Sequence, residues 1–537
     1  MLPSGQGGNR RPTLINIAGS DSDRSRVGKS SRTRGVVAVR IAACLVAVAL
    51  AAGAGAGEVP DHASPVVRQA GIQLTSVPSP DKGVPTRSSK RGPRKIKATF
   101  VPLEVSAFPR KAAKSCADNT RIVNVPSSRA RTIAQGLSAA TPGTTVRVRA
   151  GTYTEQPGEW FALELAKNNI CLRSRGGRVV IRAASGQRYG LLLSGSSTVI
   201  QGIKLKGFSS GISLGAAEGS TQRRVTIQGV VVVARGAWRD GIVAYTDNRG
   251  SPGGRQPPAV DGLLLNNVRV RGTDIGIACN AGPCAHWWLD HVRVKGRVSS
   301  EDSGADTFAI EEGRQIAIVD SKFVTASADG IDTKANDVLV FRSAVYNAAR
   351  NAIKLWRGGD VINTVVDGSG ADAALVGDAA GRYRYAHVIV TRHDPGGSGY
   401  VGTWGYDGNP ALRLEIVNSI LSNNASGGLY VPSTAGTSVN IRRNLFSDRG
   451  EKLLDAGGTV YMITSSGLSD ASAAGYGSGN QIGSPQFVKR AAHNYATAAG
   501  SRARDAAVSI PALKADFLGR PRVLGPGPDI GAVESRR

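Results

Sequence analysis

The chain has 537 residues, 41% hydrophobic and only 5% aromatic, with 68 glycines; this suits small side chains stacked between many turns and excludes a disordered or membrane-embedded polypeptide. Its formal charge of +27 is uneven, because residues 1–116 carry 19 Lys and Arg against 6 Asp and Glu, a surplus of 13 that leaves +14 for the rest. A moderately basic body suits a polyanion such as an acidic polysaccharide; nucleic acid fits the same charge, so charge alone does not choose.

Residues 41–55, IAACLVAVALAAGAG, form an apolar run behind Arg32, Arg34 and Arg40 and end in small residues. That is the layout of a secretory signal, and the run is short for a membrane span. The long basic flank leaves a retained anchor open, so 1–56 is read as a signal peptide or anchor and the protein as secreted or held at the cell surface. Arg10-Arg11 lies too far upstream to make a twin-arginine signal. Residues 57–115 are rich in Pro, Ser, Lys and Arg without an apolar period, and read as a solvated linker. The folded domain spans 116–537.

Cys44 falls in the apolar run, which leaves Cys116, Cys171, Cys279 and Cys284. An even number in an exported chain predicts two disulfides. Cys279 and Cys284 bracket the short loop NAGP and pair with each other, so Cys116 pairs with Cys171. No His stands at ligand spacing around them for a metal site.

Residues 128–140 place Ile133, Leu137 and Ala140 at helical spacing, ahead of the alternating strand TVRVRAGTYTE. A short helix there would cap the open end of a solenoid. Short Val/Ile/Leu runs separated by Gly, Asn, Asp and Ser then recur to the C-terminal region. In residues 327–356, SADGIDTKANDVLVFRSAVYNAARNAIKLW, the run Ile331-Asp332-Thr333-Lys334 returns as Ile353-Lys354-Leu355-Trp356, about 22 residues on. The predicted fold is all-β: a single-stranded right-handed parallel β-helix of about 22 residues per coil with a short N-terminal capping helix. Asn347, Asn363 and Asn418 end comparable strands and are expected to form an amide ladder along one corner. The ending DFLGRPRVLGPGPDIGAVE is expected to cap the last coil, with Asp516, Arg520, Asp529 and Glu534 in structural roles.

Strand alternation turns Ile310, Ile331 and Ile353 inward and Glu311, Asp332 and Lys354 outward, one above another, interrupting a small or apolar column of Ser213, Val243, Ala278 and Val376. Gly313, Lys334 and Trp356 are the adjacent outward positions, Arg350, Asn351 and Arg357 are close in sequence, and Asp329 sits one corner away. Acidic polysaccharides can be cut by β-elimination, in which a base removes the proton α to the uronate carboxylate and the bond to the 4-oxygen breaks. The developing charge needs a bound calcium ion or an arginine. Glu311, Asp329 and Asp332 offer hard oxygen ligands. Lys354 is the candidate base if the cations Lys334, Arg350 and Arg357 and partial burial favour its neutral amine. Trp356 is placed to stack on a sugar, with Trp404 and Tyr406 as a groove wall. The bland counterpart is an ion-pair ladder of Glu311, Asp332 and Lys354 on a solvated face. His387 and His393 read as ordinary surface or corner residues.

The segment ADGIDTKANDVLVFRSAVYNAARNAIKLW resembles the central coils of calcium-dependent β-helix pectate lyases of polysaccharide lyase family 9, in the pectin lyase-like superfamily. The resemblance implies calcium ligands at Asp329 and Asp332 and a catalytic base at Lys354. Where that family adds further aspartates, this chain has Ser327-Ala328 and, one coil back, Glu311-Glu312. The segment is also similar to polygalacturonases, but the aspartate pair those hydrolases need falls at Arg350-Asn351, which can neither protonate a leaving oxygen nor activate water.

The expected function is an exported, pectate lyase-like polysaccharide lyase acting on a uronate-containing polymer, with Lys354, Arg350 and Arg357 catalytic, Lys334, Trp356 and Asn351 binding substrate, and calcium on Asp329, Asp332 and Glu311. The alternatives are a non-catalytic carbohydrate-binding or adhesive surface protein and a polygalacturonase-like hydrolase. The partner is an acidic polysaccharide bound by a monomer, with no nucleic acid, and with membrane contact only through an uncleaved N-terminus.

Overall fold

Each central coil is built from three short strands. Gly313–Val319, Lys322–Ala326 and Ile331–Thr333 are followed by Asn336–Phe341, Ala344–Ala348 and Ile353–Leu355, and every strand pairs in parallel with its counterpart one coil on. The computed structural model describes residues 105–111, 115–158, 160–215, 221–236, 239–244, 259–280, 282–297, 305–370, 373–394, 400–405, 412–425, 427–432, 436–448 and 451–536, all within the compact unit Gly92–Arg537. The 1–56 segment, residues 57–104 of the linker and Tyr406 lie outside them. Among the described residues no helix is long and apolar enough to cross a membrane.

The stacking makes an all-β parallel solenoid. Its inner core is filled by columns of like residues, Ile316 over Val338 and Ile318 over Val340, so that coil upon coil removes the same apolar positions from water. The period is not constant. Ile353 follows Ile331 by 22 residues, whereas Gly402 follows Leu375 by 27 and Ile275 follows Asp240 by 35.

One corner has a local explanation. Asn267, His291, Asp320, Arg342, Asn363, His387, Asn418 and Arg443 all take a left-handed conformation, φ between 48° and 56°, which Asn and Asp adopt most readily. A Ser or Thr often follows, and its hydroxyl donates back to the strand just left: Ser321 to the Val319 carbonyl, Ser343 to that of Phe341, Thr364 to that of Ile362 and Ser419 to that of Val417. The expected asparagine ladder is therefore corrected. Asn363 and Asn418 share this corner with His387 between them, while Asn347 is a left-handed residue (φ 54°) at another turn.

Helix α1 (Ile133–Ala139) buries Ile133 and Leu137 in the solenoid core. Its start is fixed by a Thr132–Gln135 capping box and by the buried Glu155 carboxylate, which accepts the Ile133 and Ala134 N–H groups at 2.8 and 3.0 Å. Disulfides join Cys116 to Cys171 and Cys279 to Cys284, the pairing the spacing predicted.

At the far end, Thr459–Met462 adds antiparallel to Lys452–Ala456, which pairs the last parallel strand of that sheet, and α2 (Ser465–Ala473) follows it. The C-terminal segment does something else than cap this coil. It runs back along the flank, where Tyr495, Ala503, Ile530, Ala532 and Val533 pack on Val365, Ile389 and Ile420. Asn363 donates its amide to the Ala515 carbonyl at 2.7 Å and Asn418 donates to that of Val508 at 2.8 Å.

Candidate active site

Strand register decides which side chains meet. Asp332 pairs with Lys354; the position before Asp332 is Ala309, preceded by Ala278 and Val243, and the position after Lys354 is Val376. Glu311 is thus not in the column. It belongs two residues further along, where its carboxylate is ion-paired to Lys334 and its side chain is 45% exposed. Phe308, not Ile310, occupies the inward place beneath Ile331.

The third carboxylate of the cluster is Asp306, a residue the sequence reading missed. Asp306 stands two residues before Phe308 as Asp329 stands two before Ile331 and Asn351 two before Ile353, and the three form a corner ladder. Asp306 Oδ1 accepts the Asp329 N–H at 2.8 Å, Asp329 Oδ1 accepts the Asn351 N–H at 2.9 Å, and Asn351 Nδ2 donates to the Ala373 carbonyl at 2.7 Å. The repeated spacing Asp306-Thr307-Phe308, Asp329-Gly330-Ile331, Asn351-Ala352-Ile353 was the available signal. Asn351 is buried with its amide spent on the next coil, so it is a corner residue and not a substrate contact.

Lys354 rises from the middle of its strand, and its Nζ lies 3.7 Å from Asp329 Oδ2 and 3.7 Å from Asp332 Oδ2. Its close charged partners are therefore carboxylates rather than the cations expected. Lys334 is paired to Glu311. Arg350 is exposed at the entry to the strand. Arg357, beyond the other end, lines a separate cleft of 410 Å³ with Asp261, Glu312, Arg314 and Asn336. Trp356 joins the cluster directly: its indole N–H donates to Asp332 Oδ1 at 2.7 Å and its ring centroid lies 4.5 Å from Lys354 Nζ.

The electrostatics follow from three carboxyls around one ammonium. Burial pushes Asp306 up to about 8, with the Asp329 charge adding to it. Burial also lifts Asp332 to about 6, opposed by Lys354 and assisted by Asp329. The cluster is short of positive charge, and all its acidic donors are hard oxygens, which is the donor chemistry calcium takes. Asp306, Asp329 and Asp332 match such an ion in charge and ligand type, but they are not among the described groups whose ligand atoms gather within 4.8 Å of one another, and each already spends one oxygen on a hydrogen bond. The described group that does hold its ligand atoms within 4.8 Å of one another is Asp290, His291 and Asp320; it lies along the left-handed corner, and Asp320 there is ion-paired to Arg342 at 2.5 Å.

Other expected site residues are placed elsewhere. Trp404 is fully buried, its indole N–H 3.3 Å from the Tyr385 hydroxyl, because Thr403 takes the outward position beside Val376; it is core and not a groove wall. His387 and His393 are both 1% exposed, not surface residues. His387 lies beneath the C-terminal segment against Arg522, and His393 holds the Tyr400 carbonyl at 3.0 Å through Nε2.

No protein-family profile matches the chain, and no curated relative does. Solved structures to which it is similar include pectate lyase Pel9A, with a TM-score of 0.35 and 14% identity over 78% of this chain and 99% of that one. The A-module of the Azotobacter vinelandii mannuronan C-5 epimerase AlgE4 gives 0.37 and 15% over 58% and 87%. An alginate lyase from a Paenibacillus species gives 0.34 and 15% over 60% and 99%.

Proposed function

We propose that this chain is an exported polysaccharide lyase that cleaves a uronate-containing polymer by β-elimination, with Lys354 as the base. The observation that carries the reading is the place of Lys354, on an outer sheet face in register with Asp332 and beside an indole. The two disulfides fit export.

In this reading a uronate residue lies along the strand face over Lys354. Once released from its ion pairs with Asp329 and Asp332 and deprotonated, the Lys354 amine takes the proton α to the carboxylate, the electron pair forms the double bond between C4 and C5, and the bond from C4 to the glycosidic oxygen breaks, the departing oxygen being protonated from water. A calcium ion held by Asp306, Asp329 and Asp332 would pair with the uronate carboxylate and with the charge that develops on it. Asp329 and Asp332 also bind the Lys354 ammonium, so metal and ammonium compete for the same oxygens. Trp356 fixes Asp332 through its N–H.

The test is a screen of acidic glycans for an unsaturated product absorbing in the near ultraviolet. Activity lost in Lys354→Ala and in chelator supports the reading; activity that survives Lys354→Ala overturns the base assignment. The ion pairs of Lys354 also favour a second reading, a non-catalytic glycan-binding face, which predicts retention of glycan with no such product.

A further inference from the structure

The geometry points to a second carbohydrate subsite on the same face, built from Tyr400, Tyr430, Lys452 and Asp455. The register that pairs Asp332 with Lys354 continues through Val376, Thr403 and Tyr430 to Asp455. Lys354 and Tyr430 are three coils apart, about 14 Å at the usual strand spacing. That is the span of a short oligosaccharide laid along the solenoid axis.

Tyr400 reaches across from the start of the Gly402–Trp404 strand and stacks on Tyr430, ring centroids 4.8 Å apart and planes inclined by 26°. Its hydroxyl donates to Asp455 Oδ2 at 2.8 Å and accepts from Lys452 Nζ at 3.1 Å. Both rings are only partly buried, and an apolar ring face beside polar groups is what a pyranose takes up. Asp455 supplies an independent sign of a ligand. It is 8% exposed, and its Oδ1 has no hydrogen-bond partner among the described residues, although a buried acceptor left unpaired costs about 1–3 kcal/mol. Oδ1 is itself shielded from solvent, so a sugar hydroxyl would satisfy it as the side chains over it give way, and the Lys452 ammonium beside Tyr400 selects a sugar that carries a carboxylate. The backbone of Tyr400 is held from below by buried His393, so the ring pair is a built feature of the fold.

The occupant is an acidic oligosaccharide several residues long, and its alignment with Lys354 rests on the lyase reading. The experiment uses the full chain carrying Lys354→Ala, so that nothing is turned over, and titrates oligogalacturonates and oligomannuronates of six residues by calorimetry. Tyr430→Ala is expected to weaken binding of at least one hexamer about tenfold, and Tyr430→Phe to keep it. Equal affinity in Tyr430→Ala, or no binding of either hexamer, overturns the subsite. Should no polymer give an unsaturated product while hexamer binding still depends on Tyr430, the lyase reading falls and the subsite stands. Should elimination proceed with hexamer affinity and KM both indifferent to Tyr430→Ala, the subsite falls alone.

Discussion

Asp306 Oδ1 accepts the backbone N–H of Asp329 at 2.8 Å, which fixes the two carboxylates one coil apart at the same corner. Each spends one oxygen on the coil that follows, so the ladder holds acidic groups beside Lys354 that the solenoid would otherwise have no reason to bury. Burial and mutual repulsion lift Asp306 to about 8.

Asp306→Asn separates the structural job from the charge. The amide oxygen can still accept from Asp329, as an Asn already occupies this place in the coil at 351. On the proposed reading, the variant folds like the parent and binds calcium at least about tenfold more weakly, by loss of one carboxylate ligand. Calorimetry with calcium and thermal unfolding, run side by side, check this.

On the lyase reading, Lys354→Ala lowers turnover of the polymer by about 10²–10⁴, the usual worth of a positioned general base. Release of the near-ultraviolet chromophore measures it, and a parallel unfolding curve should show a folded but less stable chain, since Asp329 and Asp332 lose their ion-pair partner.

The C-terminal segment should respond to acid through His387. Burial, then the Arg522 charge, hold this imidazole well below its usual range. A His whose folded pKa is depressed contributes stability above its unfolded value and loses it as pH falls, so the parent should weaken progressively below about pH 6.5. Glu534 acts with the opposite sign, being pushed up to about 7 by burial, so its contribution is present at acid pH and lost as pH rises through that value. His387→Asn isolates the imidazole, because asparagine tolerates the left-handed corner as it does at 363 and 418. The difference in unfolding midpoint between variant and parent should grow in the variant's favour from pH 7 to pH 5.

Arg522 is 4% exposed and lies 3.1 Å from Glu534. Arg522→Met strands a buried carboxylate and should destabilise by about 3–5 kcal/mol. Loss of protection in the 503–534 backbone by hydrogen exchange should precede loss in the central strands.

Gly136→Ala in α1 should destabilise, although alanine is the better helix former by about 1 kcal/mol. The added Cβ would stand 2.6 Å from Val125 Cγ2 and 3.1 Å from Val146 Cγ1, and overpacking of that kind costs about 1–3 kcal/mol. A lower unfolding midpoint is the expected result.

The amino-acid sequence alone determined the parallel solenoid, the capping helix, both cysteine pairings and the alignment of Asp332 with Lys354. Those follow from local apolar alternation and a 22-residue repeat that is regular from Ile331 to Leu375. It did not determine that Asp306, and not Glu311, completes the cluster. A strand repeats every two residues, so a slip of two leaves every inward residue inward, and no pattern along the chain distinguishes the two registers. Nor did local sequence indicate that Trp404 turns into the core, that the last residues fold back over His387, or that Tyr400 reaches Asp455. Those contacts join coils through the lengths of the turns between them, which only the stacked structure fixes.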